Sequence, residues 1–228
     1  MKMYITTLIL VLTFCHTTMA NTSECSTLVA KICVLFDRSK SIPEAYYNAT
    51  RNNLIRLTKR LNVDRRHVIR FGIYGYEKSV SDVVNVIMNS EVQIPLAVES
   101  INNKNIYDES ALTSGTSTSF ALRFVKSLFD QTANEQSNAP KIVILISDGL
   151  FNDLAAIDTY VAALRADNVD LFTIREASHQ VNYDNLKKVS TEQNLIHFSD
   201  LFKRVNQVSI AKCNANVFRY VQNYIENF

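Results

Sequence analysis

Net charge is what this chain most lacks: 24 Lys and Arg stand against 22 Asp and Glu, a balance of +2 over 228 residues. So even a distribution leaves no bulk field to hold nucleic acid or an anionic membrane. The basic residues that gather between Arg51 and Arg70 fall at the spacing of a solvated helix face. Familiar catalytic machinery is missing too. There is no G-x-S-x-G elbow and no G-x-x-x-x-G-K-[ST] phosphate loop, and His67, His179 and His197 lack metal-ligand spacing. Long apolar runs are confined to the start, where Lys2 precedes Tyr4 to Phe14 and Thr18-Met19-Ala20 ends in the small residue that leader cleavage requires. That core falls short of the ~20 apolar residues of a membrane span. The expectation is a leader over residues 1–20 and a secreted chain beginning near Asn21, with no membrane span.

Cysteine is sparse, and its placement fits that compartment. Cys15 leaves with the leader, so Cys25, Cys33 and Cys213 remain. Cys33 lies inside an apolar run and reads as a buried thiol. Cys25 and Cys213 bracket almost the whole globular region, and an oxidising compartment would let them pair. A Cys25–Cys33 pair, leaving Cys213 for another chain, is the alternative. Two sequons, Asn21-Thr22-Ser23 and Asn48-Ala49-Thr50, mark Asn21 and Asn48 as glycan candidates.

Along the chain, β-rich apolar runs alternate with helical patterns. Lys31 to Phe36 is a continuous apolar run, as in a strand buried on both faces. Pro43 to Leu61 carries Tyr47, Leu54, Leu57 and Leu61 on one helical stripe, with Pro43 in the first turn. His67 to Gly75 and Lys78 to Val83 read as strands, and Gly72 and Gly75 predict a bulge or a close backbone approach. Val84 to Ile101 suggests two short helices, and 102–114 a loop. Helices are expected at Thr118 to Phe129, Leu154 to Arg165, Tyr183 to Val189 and from Asp200 towards Val208. Strands are expected at Lys141 to Ile146, Val169 to Ile174 and Leu195 to Phe198. This alternation predicts an α/β fold: a doubly wound, mainly parallel six-stranded sheet with helices on both faces. Ligands of such sheets bind at the carboxyl ends of the strands, where the winding reverses.

Three stretches fall on that edge with matching chemistry. Asp37-Arg38-Ser39-Lys40-Ser41 ends the first strand with three oxygen side chains. Ser114-Gly115-Thr116-Ser117-Thr118 precedes a helix, and Ser147-Asp148-Gly149 follows the strand Ile142 to Ile146. Two of the four glycines, Gly115 and Gly149, lie in these loops, as tight turns around a site require. Each stretch alone has an ordinary reading. Ser41 with Glu44 spells a capping box, and Ser-Asp-Gly is a common turn. Together they assemble hard oxygen donors suited to a hydrated divalent cation.

These motifs, with Asp153 following the third, resemble the von Willebrand factor type A domain, seen also as the inserted domain of integrins, in matrilins and in many collagens. The resemblance covers Cys25 to Cys213, leaving 214–228 as a tail. It implies a metal-ion-dependent adhesion site holding Mg²⁺, with Mn²⁺ or Ca²⁺ as alternatives. Ser39, Ser41 and Thr116 would be direct hydroxyl ligands, and Asp37 and Asp148 would act directly or through water. An extracellular protein partner would supply an Asp or Glu to the remaining position. Arg38 and Lys40 depart from the small residues usual there, and alternation along the loop turns them away from the ligand hydroxyls as a basic rim. Two other readings are a type A assembly module with a degenerate, metal-free site, and a metal-dependent hydrolase. In the tail, Val217, Tyr220, Val221, Tyr224, Ile225 and Phe228 recur at helical spacing, suited to docking on the domain or to self-association.

Overall fold

A computed structural model describes residues 30–63, 68–76, 80–87, 99, 101, 117–131, 139–174, 181–201, 203, 204, 207 and 211. The strands are β1 (Ala30–Asp37), β2 (Val68–Tyr76), β3 (Val80–Ile87), β4 (Lys141–Ile146), β5 (Val169–Ile174) and β6 (Leu195–Ile196). The helices are α1 (Glu44–Val63), α2 (Thr118–Gln131), α3 (Leu154–Ala166) and α4 (Tyr183–Val189). The strands form one sheet in the order β3-β2-β1-β4-β5-β6. Pairing is parallel from β2 through β6, and β3 runs antiparallel at the edge. From β1 the chain winds outward to β2 and β3, then returns to place β4 on the other side of β1. The winding therefore reverses between β1 and β4.

Alternation within the central strands divides the core in two. Ile32, Val34 and Phe36 of β1 join Ile142, Ile144 and Ile146 of β4 on one face, against Tyr47 and Leu54 of α1. Cys33 and Leu35 join Val143 and Leu145 on the other, against Leu122 and Val125 of α2 and Val161 of α3. The middle of a strand buried on both faces is apolar at every position, which is why Ile32 to Phe36 of β1 and Ile142 to Ile146 of β4 read as continuous runs. Cys33 is a free, buried thiol, and burial pushes its pKa up. The Cys25–Cys33 pairing is therefore not formed, while Cys25 and Cys213 lie outside the described residues.

The glycines of β2 behave as expected. A Cβ on Gly72 would stand 2.5 Å from the Tyr74 ring, and the β2–β3 register shifts between Ile73 and Tyr74. Two boundaries differ from expectation. Val84–Ile87 extends β3 instead of starting a helix, because antiparallel pairing with β2 supplies its backbone partners and its β-branched residues suit the pleat. Of the region expected to hold a second helix, residues 99 and 101 are described, both helical, with Ile101 buried. The last strand stops at Ile196, and residue 198 already belongs to the following helix. On the α1 stripe Tyr47 and Leu54 are buried, while the side chains of Leu57 and Leu61 lie outside the described residues.

Candidate metal centre

Asp37 closes β1 opposite Tyr76 of β2. On its other side Phe36 pairs with Ile146, so Ser147 and Asp148 emerge from β4 beside Asp37. The two acidic motifs thus meet at the point where the winding reverses. Asp37 is buried, as are Ser39, Ser147 and Asp148, whereas Ser41 is exposed.

Hydrogen bonds hold the group together. Asp37 Oδ1 accepts from the Ser39 backbone N–H at 2.8 Å, and Oδ2 accepts from Ser147 Oγ at 2.8 Å. The Ser39 and Ser41 hydroxyls are 2.9 Å apart. Ser147 Oγ also accepts from the Gly149 N–H, and Asp148 Oδ1 accepts from the Leu150 N–H. Asn182, just before α4, donates its N–H to the Asp148 carbonyl at 2.7 Å. The β4–α3 turn is thereby fixed at both of its acidic and hydroxyl side chains. Desolvation pushes the Asp37 carboxyl up to about 6, further raised by the Asp148 charge and opposed by its Ser39 and Ser147 hydrogen bonds. An ionised Asp37 is therefore costly here until a cation neutralises it.

Ser41 does not cap α1. The Ile42 N–H bonds the Ser39 carbonyl and the Tyr47 N–H bonds that of Pro43, so the helix opens at Pro43, later than a Ser41 capping box needs. Proline is well suited to opening a helix because its missing N–H is not needed there, and the Ser41 hydroxyl turns to Ser39 instead. Arg38 turns away from the hydroxyls, as alternation predicts: a Cβ on Gly75 would lie 2.4 Å from its Cδ. Lys40 is exposed.

Thr116 lies outside the described residues, but the start of the helix after it is anchored at the same edge. Thr118 Oγ1 donates to the Tyr76 hydroxyl at 3.3 Å, and the Ser119 N–H donates to Asp153 Oδ2 at 2.8 Å. Burial and the neighbouring Asp37 charge hold the Tyr76 phenol well above its usual pKa. Tyr76 is a site neighbour that sequence reading misses. Its one available signal is the register that sets the end of β2 against Asp37.

The donor set consists of two carboxylates among neutral hydroxyls, and no cluster of three His, Cys, Asp or Glu exists among the described residues. Hard oxygens of this kind suit Mg²⁺, Mn²⁺ or Ca²⁺. The fold and this switch-point cluster of oxygens define a doubly wound α/β domain with a site at its carboxyl edge. The family model for the von Willebrand factor type A domain matches residues 31–211, and the chain belongs to that family. Among solved structures it is similar to proximal thread matrix protein 1 (PTMP1) from the mussel byssus, with a TM-score of 0.63 at 20% identity over 82% of this chain. A second structure of that protein, with a zinc-occupied MIDAS motif, gives 0.62 at 21% identity. Manganese-loaded Plasmodium vivax TRAP protein gives 0.59 at 19% identity over 72% of this chain and 63% of its own. The chain spans 48% of the mussel protein. At these identities the likeness is one of fold. None of the curated proteins compared with the chain matches it. No helix among the described residues is long and apolar enough to cross a membrane.

Proposed function

We propose that this chain is a secreted, non-enzymatic interaction module that binds a protein partner through a divalent cation, Mg²⁺ foremost. Asp37, Ser39, Ser41, Thr116 and Asp148 hold the ion, and an Asp or Glu of the partner completes its coordination. The observation that carries this reading is Asp37 itself, a carboxylate buried beside Asp148, whose ionised form burial and the Asp148 charge disfavour and a positive charge would balance. A dication supplies that balance, and the hydroxyls of Ser39 and Ser41 add neutral oxygens beside it. The zinc-occupied MIDAS of the mussel matrix protein and the manganese-loaded TRAP protein support a divalent ion in this fold. The module runs from Cys25 to Cys213, which pair. It follows a leader over residues 1–20 and precedes an amphipathic tail over 214–228 that docks on the domain or associates with a second copy. Asn21 and Asn48 carry glycans, and Asn48 is exposed on α1.

Calorimetric titration of the protein with Mg²⁺ and Mn²⁺ tests the ion. Binding by the wild type and its loss in Asp148→Ala is the expected result. Wild-type protein that shows neither binding heat nor thermal stabilisation would leave a metal-free assembly module in its place.

A further inference from the structure

The oxygen donors come from three separate stretches of chain, and one residue outside all of them is bonded to each neighbourhood. Tyr76 closes β2 and pairs with Asp37. Its carbonyl accepts the Arg38 N–H at 2.9 Å, at the entry to the loop that carries Ser39 and Ser41. Its hydroxyl accepts from Thr118 Oγ1 at 3.3 Å, two residues beyond Thr116 in the chain. The same hydroxyl interacts with the Ser147 side chain, which donates to Asp37 Oδ2 at 2.8 Å.

Register explains the reach. Tyr76 stands on one side of Asp37, and Ser147 follows the Phe36–Ile146 pair on the other. Two strand spacings, roughly 9.6 Å, therefore separate β2 from β4, and a long side chain is needed to approach Ser147 from β2. Tyr76 belongs to the core face that packs on Leu122 and Val125 of α2, which brings its hydroxyl to the first turn of that helix as well. Tyr76, Thr118 and Ser147 are all buried, so water does not compete for these hydroxyls. A buried tyrosine hydroxyl needs a partner wherever it lies. This one meets two, from two different loops of the site. Phenylalanine would fill the same core volume, and what the phenol adds is the connection.

We propose that Tyr76 is a positioning residue of the metal centre: its hydroxyl fixes the first turn of α2, and with it the loop of Thr116, against the Ser147–Asp37 pair. The proposal rests on the metal-mediated reading above and adds what holds its loops in place. Tyr76 is not itself a ligand; it acts through Thr118 and Ser147.

The test compares the full wild-type chain with Tyr76→Phe, Thr118→Val, Thr118→Ser and the pair Tyr76→Phe with Thr118→Val. Each is titrated with Mg²⁺ by calorimetry and followed by amide exchange without the ion. Tyr76→Phe and Thr118→Val should each weaken Mg²⁺ binding about fivefold, the worth of one neutral hydrogen bond. The pair should bind no more weakly than Tyr76→Phe alone, because both changes remove the same tie. Thr118→Ser keeps the hydroxyl and should bind as the wild type does. In the ion-free protein Tyr76→Phe should accelerate exchange at both Ser119 and Gly149, whose N–H groups are held by Asp153 and Ser147. Ala156, bonded to the Asp153 carbonyl in the first turn of α3, should stay protected. A lower melting temperature with unchanged Mg²⁺ affinity, additive losses in the pair, or unchanged exchange at Ser119 and Gly149 overturns the positioning role. Wild-type protein that binds no Mg²⁺ overturns instead the metal-mediated reading, and the ion-free exchange still decides whether Tyr76 ties the two loops.

Discussion

Ser147 Oγ donates to Asp37 Oδ2 at 2.8 Å, joining residues 110 positions apart in the chain. This bond links the ends of β1 and β4 across the reversal of the sheet, and Ser147 in turn accepts from the Gly149 N–H. Ser147→Ala leaves a buried carboxylate oxygen and a buried N–H without their partner. It should cost about 1 to 3 kcal/mol of stability at neutral pH, the range for leaving a buried polar group unsatisfied. Urea unfolding measures this, and an unchanged midpoint would show that the bond carries no weight.

The pH dependence of the ion-free protein should run against the usual direction for a carboxylate. Burial raises Asp37 to about 6, above the ordinary carboxylate range near 3.9 of the unfolded chain. Between those values the folded state holds a proton that the unfolded state has released. The contribution of Asp37 is therefore full below about pH 4 and is lost as pH rises through about 6, a difference of roughly 3 kcal/mol. Metal binding has the opposite sign, because the ion must displace that proton. Affinity for Mg²⁺ should be level above about pH 7 and fall about tenfold per unit below 6. Titrations at pH 5, 6 and 7.5 read this slope directly. Asp37→Asn should stabilise the ion-free protein at pH 7.5 and abolish its response to Mg²⁺.

Much of this arrangement was legible in the sequence for a simple reason. Strands buried on both faces are continuous apolar runs at their centres, so Ile32 to Phe36 and Ile142 to Ile146 announce themselves, and the acids that follow them must share an edge. What the sequence hides depends on partners distant along the chain. Val84 to Ile87 reads equally well as helix until β2 is known to lie alongside. Ser41 fits a capping box on spacing, yet the helix opens at Pro43 and the hydroxyl is placed by Ser39. Tyr76 reaches the site by register with Asp37, and a tyrosine at the end of a strand carries no mark of that role.

Gly149 is the position where backbone geometry constrains the site most tightly. Its φ is +78°, and a Cβ there would lie 2.4 Å from the Asn182 carbonyl oxygen. Gly149→Ala must strain the left-handed backbone or push away the segment whose N–H holds the Asp148 carbonyl. Together these should cost about 3 kcal/mol, which lowers the melting temperature by roughly 10 °C in a domain of this size. Metal affinity should fall with it, because the displaced segment also positions Asp148. Differential scanning calorimetry with and without Mg²⁺ checks both, and a melting temperature within a degree of the wild type would contradict the strained geometry.

Asp153 acts on α2 rather than on its own helix. It stands at the N-cap of α3 but makes no side-chain cap bond there. Its Oδ2 instead accepts the Ser119 N–H in the first turn of α2, where a negative charge also opposes the positive end of the helix. Asp153→Ala should therefore destabilise the protein by about 1 kcal/mol, as the loss of a helix cap does. The damage should be local to the wrong helix by sequence. Amide exchange should accelerate at Ser119 and its neighbours in α2, while the first turn of α3 keeps its protection. Asp153→Asn retains an acceptor oxygen and should lose less. Faster exchange at the start of α3, with α2 unchanged, would place the cap on α3 and refute the assignment.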